Sequence, residues 1–453
     1  MSEQIGPQEV ATGQGGDPLV STRRPVAWRD PAWFDEQALT AELERVATVC
    51  TGCRRCIDHC RAFPVMFEAF DRTPGVMASG LPRTVYWQVA EECYQCDRCF
   101  KATCPYVPPH AQAVDFPQLM LRTKAVRARA GTVSRADRLL ADTEAVGRIA
   151  GIPVVSPLLN GLARTGFGRK LLDKTLGVHP RAPLPSLHVD SARARLQRRS
   201  RPAIEPLDTA ETAGRVILFT TCHANHSEPT IVEDLVAVFE HNGITVDLAA
   251  RERCCGMPQW EAGDLETISR YKETNVPELK GLIDRGFDVV APLPSCVLMF
   301  KQYLPLLFPG DPDVLAVSRR IFDPFEYLWL RHQAGHLRTD FPAQLGRVGY
   351  HPPCHLRAQE LGHGTRDVLG LVPGTQVELH EGCSGHGEAY GVRRRSRDAS
   401  ESIARPVVRK LQASQPDHYG SDCPQAGRQF GAALKGLGSP EHPMRLLRLA
   451  YGI

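Results

Sequence analysis

The sequence predicts a multidomain chain of mixed α+β and α/β class, in which a helical, cysteine-rich domain precedes two repeated α/β domains. Two observations predict it. Eight of the 15 cysteines are packed into two short blocks, at 50–60 and 93–104, between segments of helical character. The other seven recur in a strand-then-cysteine pattern that appears twice in the second half. A chain of 453 residues, 42% apolar and 23% charged, has the composition of a soluble globular protein. At about 150 residues per domain it holds roughly two to four of them.

Residues 1–34 read as a flexible arm, rich in Gly, Gln, Pro and Ser. Arg23 and Arg24 form a twin pair, but the residues that follow include Trp28, Arg29, Asp30 and Asp35. They cannot form the apolar stretch of an export signal. Without a run of about 18 apolar residues nothing spans a membrane. The expected location is the reducing cytoplasm, with peripheral placement at the inner face of the membrane through a partner left open.

Residues 35–130 form the cysteine-rich domain, entered by a helix over 35–49 and closed by one over 115–130. Residues 131–212 contain no cysteine and many Pro, Gly and Arg breaks, as in a helical connector. An amphipathic membrane contact around 154–176 is the alternative there. Residues 213–340 and 341–453 alternate strands (216–220, 245–248, 288–292, 348–350) with helices such as 228–241, the pattern of parallel α/β units. A net charge of +3 gives no electrostatic reason to expect nucleic acid, and the arginines at 393–395 read as a solvated helix face.

Disulfides are rare in the cytoplasm. An odd cysteine count and the adjacent pair Cys254 and Cys255 also argue against them, so the grouping points to metal. The first block is Cys50-x2-Cys53-x2-Cys56-x3-Cys60, and the second is Cys93-x2-Cys96-x2-Cys99-x4-Cys104-Pro105. In a two-cluster ferredoxin three close cysteines hold one cube and the fourth crosses to the other. That rule gives Cys50, Cys53, Cys56 and Cys104 to one [4Fe-4S] cluster, and Cys93, Cys96, Cys99 and Cys60 to a second. Zinc is the competing reading, but a zinc knuckle has no use for a third cysteine at x2 spacing or for a trailing fourth. The x4 interval before Cys104 is one residue longer than the simplest pattern, which predicts a locally altered turn. Arg54, Arg55, Arg61 and Lys101 lie beside these cysteines and give one approach a basic character.

The second half repeats itself. Cys222-His223 matches Cys354-His355, 132 residues later, and Cys254-Cys255-Gly256 matches Cys383-Ser384-Gly385. Pro294-Ser295-Cys296 matches Ser421-Asp422-Cys423. On these motifs the chain resembles the CCG-domain iron–sulfur proteins, the group that includes the C subunit of anaerobic glycerol-3-phosphate dehydrogenase and the catalytic subunit of heterodisulfide reductase. A ferredoxin block followed by two CCG repeats is their domain order. The resemblance spans most of residues 45–435, with stretches such as 105–121, 351–357 and 421–424.

It implies that Cys222, Cys254, Cys255 and Cys296 of the first repeat, and Cys354, Cys383 and Cys423 of the second, hold a further iron–sulfur cluster. The first repeat ends Cys296-Val-Leu-Met299 where some relatives carry CxxC. The second has Ser384 in place of the paired cysteine, so His355 or His386 could complete a site there.

The function these features predict is an iron–sulfur electron-transfer subunit of an oxidoreductase complex, relaying electrons between a flavin-dependent or other redox partner and an acceptor. No G-x-G-x-x-G follows a strand, so any flavin or nicotinamide belongs to another chain. The alternatives are a self-sufficient CCG-site reductase of a thiol, disulfide or peroxide substrate, and a redox-sensing iron–sulfur protein.

Overall fold

In a computed structural model the chain is described at residues 23–72, 78–150, 152, 155–387 and 389–453. The first 22 residues of the expected arm lie outside these. Residues 23–34 do not behave as an arm. Val26 and Trp28 are buried, the Val26 N–H donates to the Leu306 carbonyl (2.9 Å), and Trp28 Nε1 donates to that of Leu307 (3.0 Å). A strap of sequence far from residue 306 is thus tied to the first repeat by an indole, whose large apolar area rewards burial once its N–H is satisfied.

The cysteine-rich domain is built from the helices Glu36–Cys53, Ala62–Asp71, Arg83–Glu91 and Phe116–Arg129. Asp35 and Asp115 cap the first and last, accepting from the Ala38 and Gln118 N–H groups. Leu39, Leu43 and Val46 recur on one face of the first helix and pack with Phe63, Phe67, Val89, Phe116 and Met120 in one apolar core. The Phe63 and Phe116 rings stack at 4.5 Å.

Each half of the remaining chain carries a small parallel sheet. The strands β1 (Arg215–Leu218), β2 (Thr245–Leu248), β3 (Asp288–Val290) and β4 (Ile321–Phe322) are ordered β2-β1-β3-β4. The strands β5 (Arg347–His351), β6 (Gln376–Leu379) and β7 (His418–Ser421) are ordered β6-β5-β7. The order β2-β1-β3 is therefore repeated, with β5 in the place of β1, and all pairs are parallel. After Arg215 and Asp288, β1 and β3 are apolar and buried on both faces. The C-terminal helix Pro443–Tyr451 crosses back to pack on helix Pro229–His241 of the first repeat, so the two halves share one core.

Between the cysteine-rich domain and β1 the described residues form the short helices Arg135–Ala141, Thr143–Ala150, Val155–Arg164, Gly166–Leu176 and Ala192–Arg198. Leu158 and Phe167 on them are exposed, at 67% and 76%. Among the described residues no helix is long and apolar enough to cross a membrane. Of the arginines 393–395, Arg394 and Arg395 are solvent-exposed, but none of the three stands on a helix. They precede the helix Arg397–Ser414 and are held by the connector, Arg393 and Arg395 by Asp137 and Arg394 by Asp173.

Candidate metal centre

Cys50 and Cys53 sit on the last turn of helix Glu36–Cys53, which ends where Arg54 turns left-handed (φ 54) and donates its N–H to the Cys50 carbonyl. Cys104 reaches them from the second block through a π-helical turn, Cys99–Thr103, in which the Cys104 N–H donates to the Cys99 carbonyl at 2.9 Å. The extra residue before Cys104 is absorbed in that widened turn. Cys50, Cys53, Cys56 and Cys104 line one cavity together with Phe63 and Phe67. Burial, reinforced by the neighbouring thiols Cys104, Cys56 and Cys53, pushes the Cys50 thiol up to about 12. Burial, with Cys104 and Cys53, pushes Cys56 up to about 11. Thiols crowded in an apolar cavity ionise readily only when a positive centre offsets their charge, the behaviour of a metal-binding set. Among the described residues no three His, Cys, Asp or Glu side chains already close on a point that would hold a single ion.

Cys60 belongs with the second block. Burial and then Cys93 push its thiol up to about 12. Cys99 is raised by burial and by Cys93 and Cys60. The Gln95 amide donates to Cys93 Sγ (3.7 Å), and Lys124 Nζ to the Cys93 carbonyl (2.6 Å). Gln95 and Asp97, which flank Cys96, both take left-handed backbone (φ 57 and 56). This loop is held by a buried network. Asp97 accepts two bonds from Arg23 (2.7 and 3.1 Å) and one from Tyr303 (2.8 Å), while Arg23 also forks onto Asp115 (2.6 and 2.8 Å). Burial opposes the Arg23 charge, but Asp97 and Asp115 outweigh it and hold the guanidinium well above its usual pKa.

In the first repeat Cys222 follows β1, Cys254 and Cys255 follow β2, and Cys296 follows β3. Because the strands are parallel, all four arrive at the carboxyl edge of one sheet, where α/β folds gather ligands. Cys222 Sγ lies 3.8 Å from Cys254 Sγ, and Cys255 is within hydrogen-bond reach of Cys254 and Cys296. The connector covers this group: Thr143 Oγ1 is 3.2 Å from Cys222 Sγ, and Glu144 accepts from the Cys254 N–H and from Arg253.

Glu252, largely buried, accepts from the Thr220 N–H (3.0 Å), the Thr220 hydroxyl (2.8 Å) and the Thr221 N–H (2.8 Å), and pairs with Arg193 (3.0 Å). It fixes the turn that presents Cys222, where Thr221 is left-handed (φ 64). Replacing Glu252 by Ala strands two backbone donors and is expected to cost about 3 kcal/mol, read as a lowered denaturation midpoint.

In the second repeat Cys354, Cys383 and Cys423 follow β5, β6 and β7 in the same way. Cys354 is within hydrogen-bond reach of both Cys383 and Cys96, and these two contacts hold its thiol well below the usual value. The second repeat thus touches the cysteine-rich domain directly. Lys101 and Glu360 (2.6 Å) bridge the same boundary, as do the Tyr94 and Tyr390 rings. His386 Nε2 lies 3.6 Å from Cys423 Sγ, and its Nδ1 is 2.7 Å from Ser384 Oγ. His355 instead contacts the Gln95 backbone. The basic approach expected from Arg54, Arg61 and Lys101 is largely neutralised, since they pair with Asp71, Glu92 and Glu360.

The family model described as "Cysteine-rich domain" (CCG) matches residues 216–301 and 348–430. Lactate utilization protein A of Macrococcus caseolyticus is 31% identical over 221 residues, 46% of this chain and 85% of that protein. The chain belongs to the CCG cysteine-rich family.

The C subunit of anaerobic glycerol-3-phosphate dehydrogenase from Escherichia coli K12 is 26% identical over 321 residues, 69% of this chain and 76% of that protein. The B subunit of fumarate reductase (CoM/CoB) from Methanothermobacter marburgensis is 25% identical over 244 residues, 52% of this chain and 46% of that protein. The glycine of the CCG motif has a physical reason in both repeats. Gly256 is left-handed (φ 97) and gives its N–H to Cys254 Sγ. Gly385 (φ 70) does the same for Cys383, and a Cβ there would stand 2.3 Å from the Ser400 carbonyl oxygen. Arg23, Asp97, Tyr303, Thr143, Glu144 and Glu252 support the CCG and cysteine-rich sites without belonging to any motif. The one local signal for them is an aspartate, Asp97, placed between two closely spaced cysteines.

Proposed function

We propose that the chain is the iron–sulfur electron-transfer subunit of an oxidoreductase complex, acting in the cytoplasm between a flavin-dependent or other redox partner and an acceptor. The observation that carries this reading is the convergence of Cys50, Cys53, Cys56 and Cys104, from two separate segments, on one apolar cavity. A ferredoxin-like domain at 35–130, a connector at 131–212 and CCG repeats at 213–340 and 341–453 are the units we assign. Cys50, Cys53, Cys56 and Cys104 would hold one [4Fe-4S] cluster and Cys93, Cys96, Cys99 and Cys60 the other. Cys222, Cys254, Cys255 and Cys296, with Cys354, Cys383 and Cys423, would serve further iron–sulfur binding in the CCG repeats.

Bound clusters supply reversible one-electron transfer. The chain's own residues set its conditions. Phe63 and Phe67 give the first thiol set an apolar wall, and hydrogen bonds from Gln95 to Cys93 and between Thr143 and Cys222 temper sulfur charge. The absence of a dinucleotide fingerprint supports placing the flavin on a partner.

Anaerobic purification followed by iron, sulfide and zinc analysis tests the proposal. About 12 or more irons per chain, with matching sulfide, is expected; about 8 would confine the clusters to the ferredoxin-like domain. Zinc with little sulfide would overturn it.

A further inference from the structure

The second repeat has three cysteines, and the motif residue that would supply a fourth thiol is Ser384. The side chains around it compensate for that loss. His386, two residues on, turns its Nε2 to within 3.6 Å of Cys423 Sγ, and its other nitrogen is engaged by Ser384 Oγ at 2.7 Å. Metal-bound imidazoles characteristically donate their second ring N–H to an oxygen, which fixes the tautomer and leaves the first nitrogen's lone pair free. Here the oxygen comes from the residue that replaced the cysteine. The tight turn through Gly385, with its N–H on Cys383 Sγ (3.4 Å), brings Cys383, Ser384 and His386 round the same corner. Cys354, at the start of its short helix, stands within hydrogen-bond reach of Cys383. His355 is excluded from this role because its ring is spent on the Gln95 backbone.

We infer that His386 is a ligand in its own right, completing with Cys354, Cys383 and Cys423 an iron–sulfur site in the second repeat, with Ser384 orienting the imidazole. The inference rests on the iron–sulfur reading above and extends it to a residue outside the cysteine motifs. Two consequences follow from the chemistry. Exchanging a thiolate for a neutral imidazole removes one negative charge from the ligand set, and histidine ligation raises the reduction potential of an iron–sulfur centre. Cys354 also touches Cys96 of the cysteine-rich domain, so this site adjoins that domain directly. The repeat that looks degenerate by cysteine count is then the one placed next to the ferredoxin-like thiols, and the one built to hold an electron more tightly.

The test uses the full chain, purified anaerobically with natural-abundance or 15N-labelled histidine, and examined by pulsed electron paramagnetic resonance in reduced and oxidised states. A nitrogen coupling that changes with the label is expected in the native chain and absent from His386→Ala, which should also lose iron. His386→Cys should keep the iron, lose the nitrogen coupling and move one redox transition to lower potential, the readout a merely structural histidine would not give. Ser384→Ala should keep the nitrogen coupling but broaden it. If the native chain carries its iron and sulfide yet shows no histidine coupling in either state, and His386→Ala leaves iron and potentials unchanged, the inference is overturned while the electron-transfer reading stands. Zinc in place of iron at this site would also overturn it. A native chain without iron and sulfide would overturn the electron-transfer reading first.

Discussion

Replacing Arg23 by methionine is expected to destabilise the chain by about 3–5 kcal/mol, the cost of leaving a buried ionic partner unpaired. Asp97 is 2% exposed and its carboxylate is paired on both oxygens by the Arg23 guanidinium; Asp115 is held by the same fork. Methionine fills similar volume, so what is lost is charge compensation and four hydrogen bonds. The effect should not stay local. Asp97 and Gln95 hold left-handed backbone around Cys96, at roughly 1–2 kcal/mol for each such residue. With Arg23 gone, the Asp97 carboxylate keeps the Tyr303 hydroxyl and loses its counter-charge. Chemical denaturation should therefore show a lower midpoint at unchanged slope, together with iron lost from the purified chain. The double variant Arg23→Met with Asp97→Asn should recover part of the stability, since a neutral amide needs no counter-charge. A single variant as stable as the native chain would mean that the pair contributes nothing.

That network also shows where the sequence is legible and where it is not. Cysteine spacing is a local signal, because x2 intervals turn successive thiols about one centre whatever surrounds them. Strand runs such as 245–248, the helices expected from 35 and from 115 and the internal repeat are local too, and the structure starts these elements at nearly the expected positions. Arg23, by contrast, reads locally as half of a twin-arginine pair in a loose arm. Nothing within ten residues reveals that Asp97 and Asp115 await it, 74 and 92 positions away. The same holds for Thr143 over Cys222, and for Cys96 against Cys354, which are set by the packing of domains. Of the arginines at 393–395, Arg394 and Arg395 are exposed as a charge run usually is, but they stand on a turn and not on a helix face. Here Asp137 and Asp173 of the connector fix them in place. His386 lies between these cases: the missing cysteine at Ser384 points toward it, but only the 3.6 Å approach to Cys423 separates it from His355.

The crossed pairing proposed for the cysteines at 50–60 and 93–104 predicts the second large effect. Either fourth cysteine, Cys60 or Cys104, could serve the block in which it lies or the other one. The structure brings Cys104 into the cavity of Cys50, Cys53 and Cys56, and sets Cys60 against Cys93. Cys53→Ala and Cys104→Ala should then each remove about 4 irons per chain, and their combination should remove about 4 as well, because both empty the same site. Cys53→Ala combined with Cys60→Ala should remove about 8. An uncrossed arrangement reverses these two results, so the pair of double variants decides between them without reference to activity. Circular dichroism on each variant separates loss of a cluster from loss of the domain: Leu39, Leu43, Phe63 and Phe116 supply most of the apolar contact in a core that the cysteines join only at its edge, so the helices should survive each single replacement. The non-additivity is the informative quantity. Ligands of one centre fail together, whereas ligands of two centres fail independently.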